Sequence, residues 1–230
     1  MINWAVIVAA GKSVRFGGQI PKQFCEVTGK PLLAWTISAF ERAASIDQII
    51  LVVDDENYDN SRKNIIEKYK YKKVSQMVIG GTSRRGSVYN ALKAILSPAG
   101  IVAIHDGARP LVEPKDIDRV VESAKKYKAA MLAVPVTDTV KLVDGDIIVK
   151  TLERGKIWLA QTPQAFEFEL IKKAHENFRG KSEDITDDAS LLENTGIKVK
   201  VIEPSSPNPK VTTPEDLVYV EAILRRRTNV

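Results

Sequence analysis

Trp4-Ala5-Val6-Ile7-Val8-Ala9-Ala10, running into Gly11-Lys12-Ser13-Val14-Arg15-Phe16-Gly17-Gly18-Gln19-Ile20-Pro21-Lys22-Gln23-Phe24, is the stretch on which the fold turns. Its first half is apolar and uncharged, the pattern of a strand buried on both faces. Its second half holds three glycines and three cations and is interrupted by a proline. A strand that opens into such a loop aims backbone N–H groups and positive side chains at one place, where phosphate is the natural occupant. The small Ala9, Ala10 and Gly11 let a flat base or a phosphate approach the backbone closely. Ligands of open α/β sheets bind at this end of the strands.

Outward from this turn the chain alternates. Strands are expected at Gln48–Val53, Val74–Ile79, Gly100–His105 and Ala129–Val136, separated by helices at Pro31–Ala44, Asn57–Tyr71, Ser83–Leu96 and Pro114–Tyr127. This rhythm predicts an α/β fold with a doubly wound, mainly parallel, Rossmann-like sheet. The rhythm breaks at Thr139–Lys150, where Asp144-Gly145 is the strongest two-residue hairpin signal in the chain. A lone two-stranded ribbon is marginal in water, so this arm, placed at about 138–154, is expected to pack on a partner subunit or fold back on its own sheet. Trp158–Gln164 then returns to the core and Glu167–Phe178 reads as a helix. Thr186 is expected to cap a further helix ending near Gly196, before a strand at Ile197–Ile202 and a closing helix behind Thr213-Pro214. The whole chain, 1–230, reads as one domain.

Composition narrows the function. With 44% hydrophobic and 27% charged residues the chain is an ordinary globular protein. A net charge of +5 suits a polyanionic small substrate as well as nucleic acid. No basic-aromatic stripe argues for the latter, so no nucleic-acid partner is expected. Cys25 is the single cysteine, which excludes an internal disulfide or a cysteine-based metal cluster. Neither a signal peptide nor an apolar run of membrane-spanning length appears. A soluble, cytoplasmic protein without a membrane partner is the expectation.

Further loops at strand ends carry groups suited to a nucleotide. Gly80-Gly81-Thr82-Ser83-Arg84 offers glycines and hydroxyls to a pyrimidine edge, and the following helix start with Ser87 offers donors to phosphate. In His105-Asp106-Gly107-Ala108-Arg109-Pro110, Asp106 is placed to hold Mg²⁺ bridged to phosphates, and Arg109 to fork onto a second phosphate. The alternative is an internal Asp106–Arg109 ion pair. Thr139, Arg154 and Thr162 bracket the arm, and Lys210-Val211-Thr212 precedes the last helix.

The first loop ends like a P-loop in Gly11-Lys12-Ser13, yet the earlier glycine of that motif falls on Val6. It also lacks the second glycine of a dinucleotide fingerprint, where Ser13 stands. Ala9-Ala10-Gly11 with Arg15, then Pro21-Lys22-Gln23, instead resembles the signature of nucleotidylyltransferases. Together with His105–Pro110, Pro135–Thr139, Gln161-Thr162-Pro163-Gln164, Thr186–Ser190 and Lys210-Val211-Thr212, the ordered set resembles the 2-C-methyl-D-erythritol 4-phosphate cytidylyltransferases over nearly the whole chain. That resemblance implies transfer of CMP from CTP to a polyol phosphate by a Mg²⁺-dependent homodimer joined through a β-arm. It places Arg15, Lys22 and Lys210 on the phosphates and Asp106 on the metal. Ala9, Ala10, Gly11, Gly81, Thr82, Ser87 and Gly107 fall around CTP. Arg109, Thr139, Arg154, Thr162 and Thr186 fall around the acceptor, some from across the dimer. Ser13, Phe16 and Glu153 depart from the family's usual glycine, methionine and aspartate.

An acceptor phosphate is already ionised at neutral pH, with a second pKa near ~6, so no general base is needed. Catalysis should rest on positioning and on preorganised cations. A ribitol 5-phosphate cytidylyltransferase, a non-catalytic nucleotide-binding module and a nucleic-acid binder are the rival readings.

Overall fold

The computed structural model describes residues 1–11, 16–17, 20–96, 98–180 and 185–228. Arg15, named above among the phosphate ligands, lies outside the described residues.

The opening strand, β1 (Ile2–Val8), is buried through its centre, and the period of two assigns its side chains to opposite faces. Ala5 and Ile7 join one core with Leu33, Ile37 and Phe40, while Trp4 and Val6 join a second with Val88 and Leu92. The strand ends two residues earlier than its apolar run. Ala9 and Ala10 have left the β1–β6 ladder, and Ala9 N–H is taken by the Val52 carbonyl at 2.7 Å.

After a 3₁₀ turn at Lys22–Phe24 comes a two-residue hairpin that the sequence reading did not anticipate: β2 (Glu26–Val27) and β3 (Lys30–Pro31). Then follow α1 (Leu32–Arg42), β4 (Gln48–Val53) and α2 (Tyr58–Ser61), which continues as a π-helical segment at Arg62–Glu67. Next are β5 (Val74–Ile79), α3 (Arg84–Ala94), β6 (Ala99–Asp106), α4 (Pro114–Tyr127) and β7 (Ala129–Pro135). The arm is β8 (Lys141–Asp144) and β9 (Ile147–Thr151), followed by a 3₁₀ turn at Arg154–Lys156. The chain closes with β10 (Trp158–Glu167), α5 (Phe168–Asn177), a 3₁₀ segment at Ala189–Thr195, β11 (Lys200–Ile202) and α6 (Pro214–Thr228).

The seven-stranded sheet has the order β11-β7-β10-β6-β1-β4-β5. Every neighbouring pair is parallel except those of β10, which runs antiparallel between β6 and β7. Helices α1 and α4 cover one face, and α3 and α5 the other. The mainly parallel, doubly wound reading therefore holds. Helix α6 packs Val220 and Leu224 on Val27, Leu32, Leu111 and Val211 at the rim.

Two local expectations change, and a third gains a partner. The arm's turn residues are Gly145-Asp146, since Asp144 pairs with Ile147. Positive φ falls on Gly145 alone, at +56°, which is the demand of a type II′ turn. Thr186 does not cap a helix; the 3₁₀ segment starts later, and Asp187 Oδ1 accepts the Ser190 N–H at 3.0 Å. The closing helix does start at Pro214, directly behind Thr213, and Asp216, its third residue, accepts the N–H groups of Thr212 and Thr213 at 2.7 and 2.9 Å.

Candidate active site

The C-terminal ends of β4, β1 and β6 and the start of α3 face a cleft of about 760 Å³. Ala9, Ala10, Gly11, Lys22, Gly81, Thr82, Ser87, Asp106, Gly107 and Lys210 all line it, so the residues read from the sequence as nucleotide ligands converge. A smaller cavity of about 250 Å³ adjoins it, lined among others by Arg109, Thr162, Thr186 and Asp187. Arg84, Asp106 and Lys210 border both. Two separate molecules bound in these spaces would meet at that trio.

Backbone ties hold the loops together. Gly107 N–H donates to Val8 O at 2.8 Å and Val211 N–H to Ala108 O at 2.8 Å. Lys22 Nζ donates to Val211 O at 2.8 Å, which joins the first loop to the segment ahead of α6. Gln23 Nε2 donates to Ala9 O at 3.1 Å. At Gly80 a Cβ would sit 2.4 Å from the Ala10 Cβ and 2.9 Å from Ser87 Oγ. Only glycine lets the β5 loop close on the β1 loop this tightly. The Ser87 hydroxyl is spent internally: it donates to Ser83 O at 2.9 Å and accepts Gly81 N–H at 3.0 Å. It shapes the glycine turn and has no proton left for a phosphate. Ser83 in turn caps α3 by accepting Gly86 N–H at 3.0 Å.

The electrostatic centre is Asp106, buried at the end of β6. Its Oδ1 lies 3.0 Å from Arg84 Nε, and its Oδ2 lies 2.8 Å from Lys210 Nζ and 3.8 Å from Arg109 Nε. Burial by itself would raise its carboxyl, but Arg84, Lys210 and Arg109 together hold it well below the usual carboxylate range. The expected Asp106–Arg109 pair is thus present but secondary. Arg84 Nη1 also reaches Asp188 Oδ2 at 2.7 Å. Burial would lower the guanidinium, yet Asp188 and Asp106 raise it further above its ordinary value. Arg109, mainly through burial, is pulled down. Beneath the site His105 is fully buried, and burial pulls its imidazole down to about 3, so the ring is neutral at physiological pH.

Arg84, Asp188 and Gln164 were not singled out as site residues by sequence reasoning. Gln164 Nε2 donates to Asp187 Oδ2 at 2.8 Å, and its Oε1 accepts the N–H groups of Asp188 and Ala189 at 3.0 and 2.9 Å. The signal was the pairing of Gln161–Gln164 with Thr186–Ser190, motifs far apart in sequence that close on each other here. Conversely, Thr139 and Arg154 line neither cavity. Both are exposed at the base of the arm, and Arg154 Nη1 donates to Thr137 O at 2.8 Å.

The donor set bears on a metal as well. Among the described residues no three His, Cys, Asp or Glu side chains cluster as ligands. Magnesium requires only one or two carboxylates when substrate phosphates supply the rest, and Asp106 at the junction of the cavities meets that need.

A sequence model of the family described as 2-C-methyl-D-erythritol 4-phosphate cytidylyltransferase, IspD, matches residues 3–226. The chain belongs to that family. The cytidylyltransferase of Pelotomaculum thermopropionicum is 43% identical over 97% of this chain and 94% of its own. Among solved structures, the 4-diphosphocytidyl-2C-methyl-D-erythritol synthase of Anaerococcus prevotii superimposes with a TM-score of 0.84 at 32% identity, covering 97% of this chain and 96% of that one. The Francisella tularensis 2-C-methyl-D-erythritol 4-phosphate cytidylyltransferase superimposes with a TM-score of 0.80 at 36% identity, covering 96% and 99%. No helix among the described residues is long and apolar enough to cross a membrane.

Proposed function

We propose that the larger cavity binds CTP, that the smaller binds 2-C-methyl-D-erythritol 4-phosphate, and that the chain transfers CMP between them. The acceptor's phosphate oxygen attacks the α-phosphorus in line. The bond from that phosphorus to the bridging oxygen of the β-phosphate breaks, and pyrophosphate leaves with the electron pair. The products are 4-diphosphocytidyl-2-C-methyl-D-erythritol and pyrophosphate. The observation that carries this reading is the trio Arg84, Asp106 and Lys210 standing where the two cavities join.

The difficulty of the reaction is electrostatic, because two polyanions must meet and charge moves onto the leaving group. Lys22, Lys210 and Arg84 supply fixed positive charge there, with Arg15 assigned the same role from its place in the motif. Ala9, Ala10, Gly11, Gly81, Thr82 and Gly107 surround the nucleotide. Arg109 and Thr186 face the acceptor phosphate. Asp106 would hold Mg²⁺; when bound, the ion neutralises phosphate charge. Until then Asp106 keeps Arg84 and Lys210 oriented.

The arm is assigned to a second copy of the chain. Leu142, Val143, Ile147, Ile148 and Val149 are all exposed on it, and Trp158 and Leu159 extend the apolar surface beside it. A ribbon with this surface is stabilised by burial against another protomer. Such a homodimer would bring Thr139 and Arg154 of one protomer to the acceptor cavity of the other.

The test is a coupled pyrophosphate-release assay. Release that requires CTP and 2-C-methyl-D-erythritol 4-phosphate is expected. Equal or faster release with ribitol 5-phosphate would transfer the assignment to that acceptor, and nucleotide binding without release would reduce the site to a binding module.

A further inference from the structure

We propose that His105 is a positioning residue of this reaction, acting through the Thr162 hydroxyl to fix the turn that carries Asp106 and Arg109. The inference rests on the cytidylyltransferase reading for its kinetic part only.

His105 Nε2 lies 3.2 Å from the Arg109 carbonyl and Nδ1 lies 3.0 Å from Thr162 Oγ1. A carbonyl only accepts, so a neutral ring must carry its proton on Nε2 and present a bare lone pair at Nδ1. The Thr162 hydroxyl has a single proton, and Nδ1 takes it. Its oxygen is then left to accept the Asp106 backbone N–H, 3.1 Å away. The bonds therefore have one polarity, from the Asp106 N–H through Thr162 to His105, and from His105 to the Arg109 carbonyl.

Both ends of the relay fall on one turn, which is itself closed by Arg109 N–H donating to Asp106 O at 3.0 Å. The imidazole braces that turn from below, wedged against the Phe40 ring at a centroid distance of 4.9 Å. Through Thr162 it also pins the turn to β10, at the point where the β10–β7 ladder shifts register between Ala160 and Gln164. Asn208 Nδ2 holds the Thr162 carbonyl at 2.9 Å, and Arg109 Nη1 holds the Asn208 carbonyl at 2.8 Å. Thr162 lines the acceptor cavity, but its proton is committed away from any acceptor hydroxyl or phosphate. Its contribution is to geometry.

Two measurements test this. The chain has only two histidines, so ¹⁵N NMR of the imidazoles, with the His105 signals identified by their loss in His105→Gln, reads the tautomer directly. A neutral Nε2–H form whose Nδ1 shift moves in Thr162→Val is expected; an Nδ1–H form overturns the relay, whatever the enzyme's substrate. The second measurement is a kinetic cycle of Thr162→Val, His105→Gln and the double variant. Each single change should lower kcat about tenfold, the scale of one lost hydrogen bond. The double should be no worse than the poorer single, and Thr162→Ser should recover most of the loss. Multiplying effects, or a rise in acceptor KM confined to Thr162→Val with kcat kept, would show direct substrate contact and refute the proposal. If His105→Gln does not fold, the His105 signals are those that remain in His175→Gln, and they decide together with the Thr162→Val and Thr162→Ser variants.

Discussion

Asp188→Asn removes one charge from beneath the site while keeping the side chain's shape. Asp188 is fully buried, with Oδ2 2.7 Å from Arg84 Nη1 and Oδ1 3.4 Å from His175 Nε2. Breaking a buried ion pair from one side costs about 3–5 kcal/mol. Here Arg84 keeps Asp106, and 27% of its side chain reaches solvent, so about 2–3 kcal/mol is expected after that discount. Urea unfolding of both proteins at pH 7 measures it. The pH dependence fixes the sign. Burial would raise the Asp188 carboxyl, but Arg84 and His175 hold it below the usual range. A carboxyl depressed in the folded state stabilises fully above its unfolded value, near ~3.9, and loses that contribution as pH falls through the folded one. The gap between wild type and variant should therefore be level from about pH 8 to 5 and narrow below about 4. A gap under about 0.5 kcal/mol at pH 7, or one that widens toward acid, refutes the argument.

Lys22→Ala and Arg15→Ala should each lower kcat by at least ~10²-fold in the pyrophosphate assay, the scale for one preorganised donor. Near-normal turnover in both would remove them from the mechanism. Gly80→Ala forces a carbon to within 2.4 Å of the Ala10 Cβ; a loss of about 1–3 kcal/mol in stability and weaker CTP binding should follow, read by thermal melting and calorimetric titration. Replacing Ile147, 75% exposed at the tip of the arm, by lysine together with Val149 should shift the protein toward monomer in sedimentation velocity. An unchanged distribution would mean that the arm is not the contact.

The parallel core was legible because β1, β4 and β7 are continuous apolar runs that could belong only to buried strands. The position of β10 was not. Trp158–Gln164 reads as core-bound, yet nothing local says that it inserts antiparallel between β6 and β7. That placement is decided by the partners of Gln164 and Ala165 in the sheet. The site followed the same division. The glycines, cations and Asp106 of the candidate site could be picked out from loop chemistry at strand ends, whereas Arg84 only closes the Gly80–Arg84 segment, with nothing local to say what its guanidinium meets. Its role arises from Asp106 and Asp188, which lie 22 and 104 residues downstream. Thr186 misled for a physical reason: a threonine ahead of an apolar run resembles a cap, but the Asp187 carboxylate beside it accepts the Ser190 N–H.

Lys22 leans on the carbonyl of Val211, and Asp106 on the ammonium of Lys210. During translation the glycine loop leaves the ribosome almost two hundred residues ahead of the segment that completes it. Until residues 210 and 211 emerge, the candidate cleft lacks the carbonyl that holds Lys22 and the cation that meets Asp106. A chain that ends before residue 210 would lose both contacts at once, and with them the tie between the first loop and the last helix.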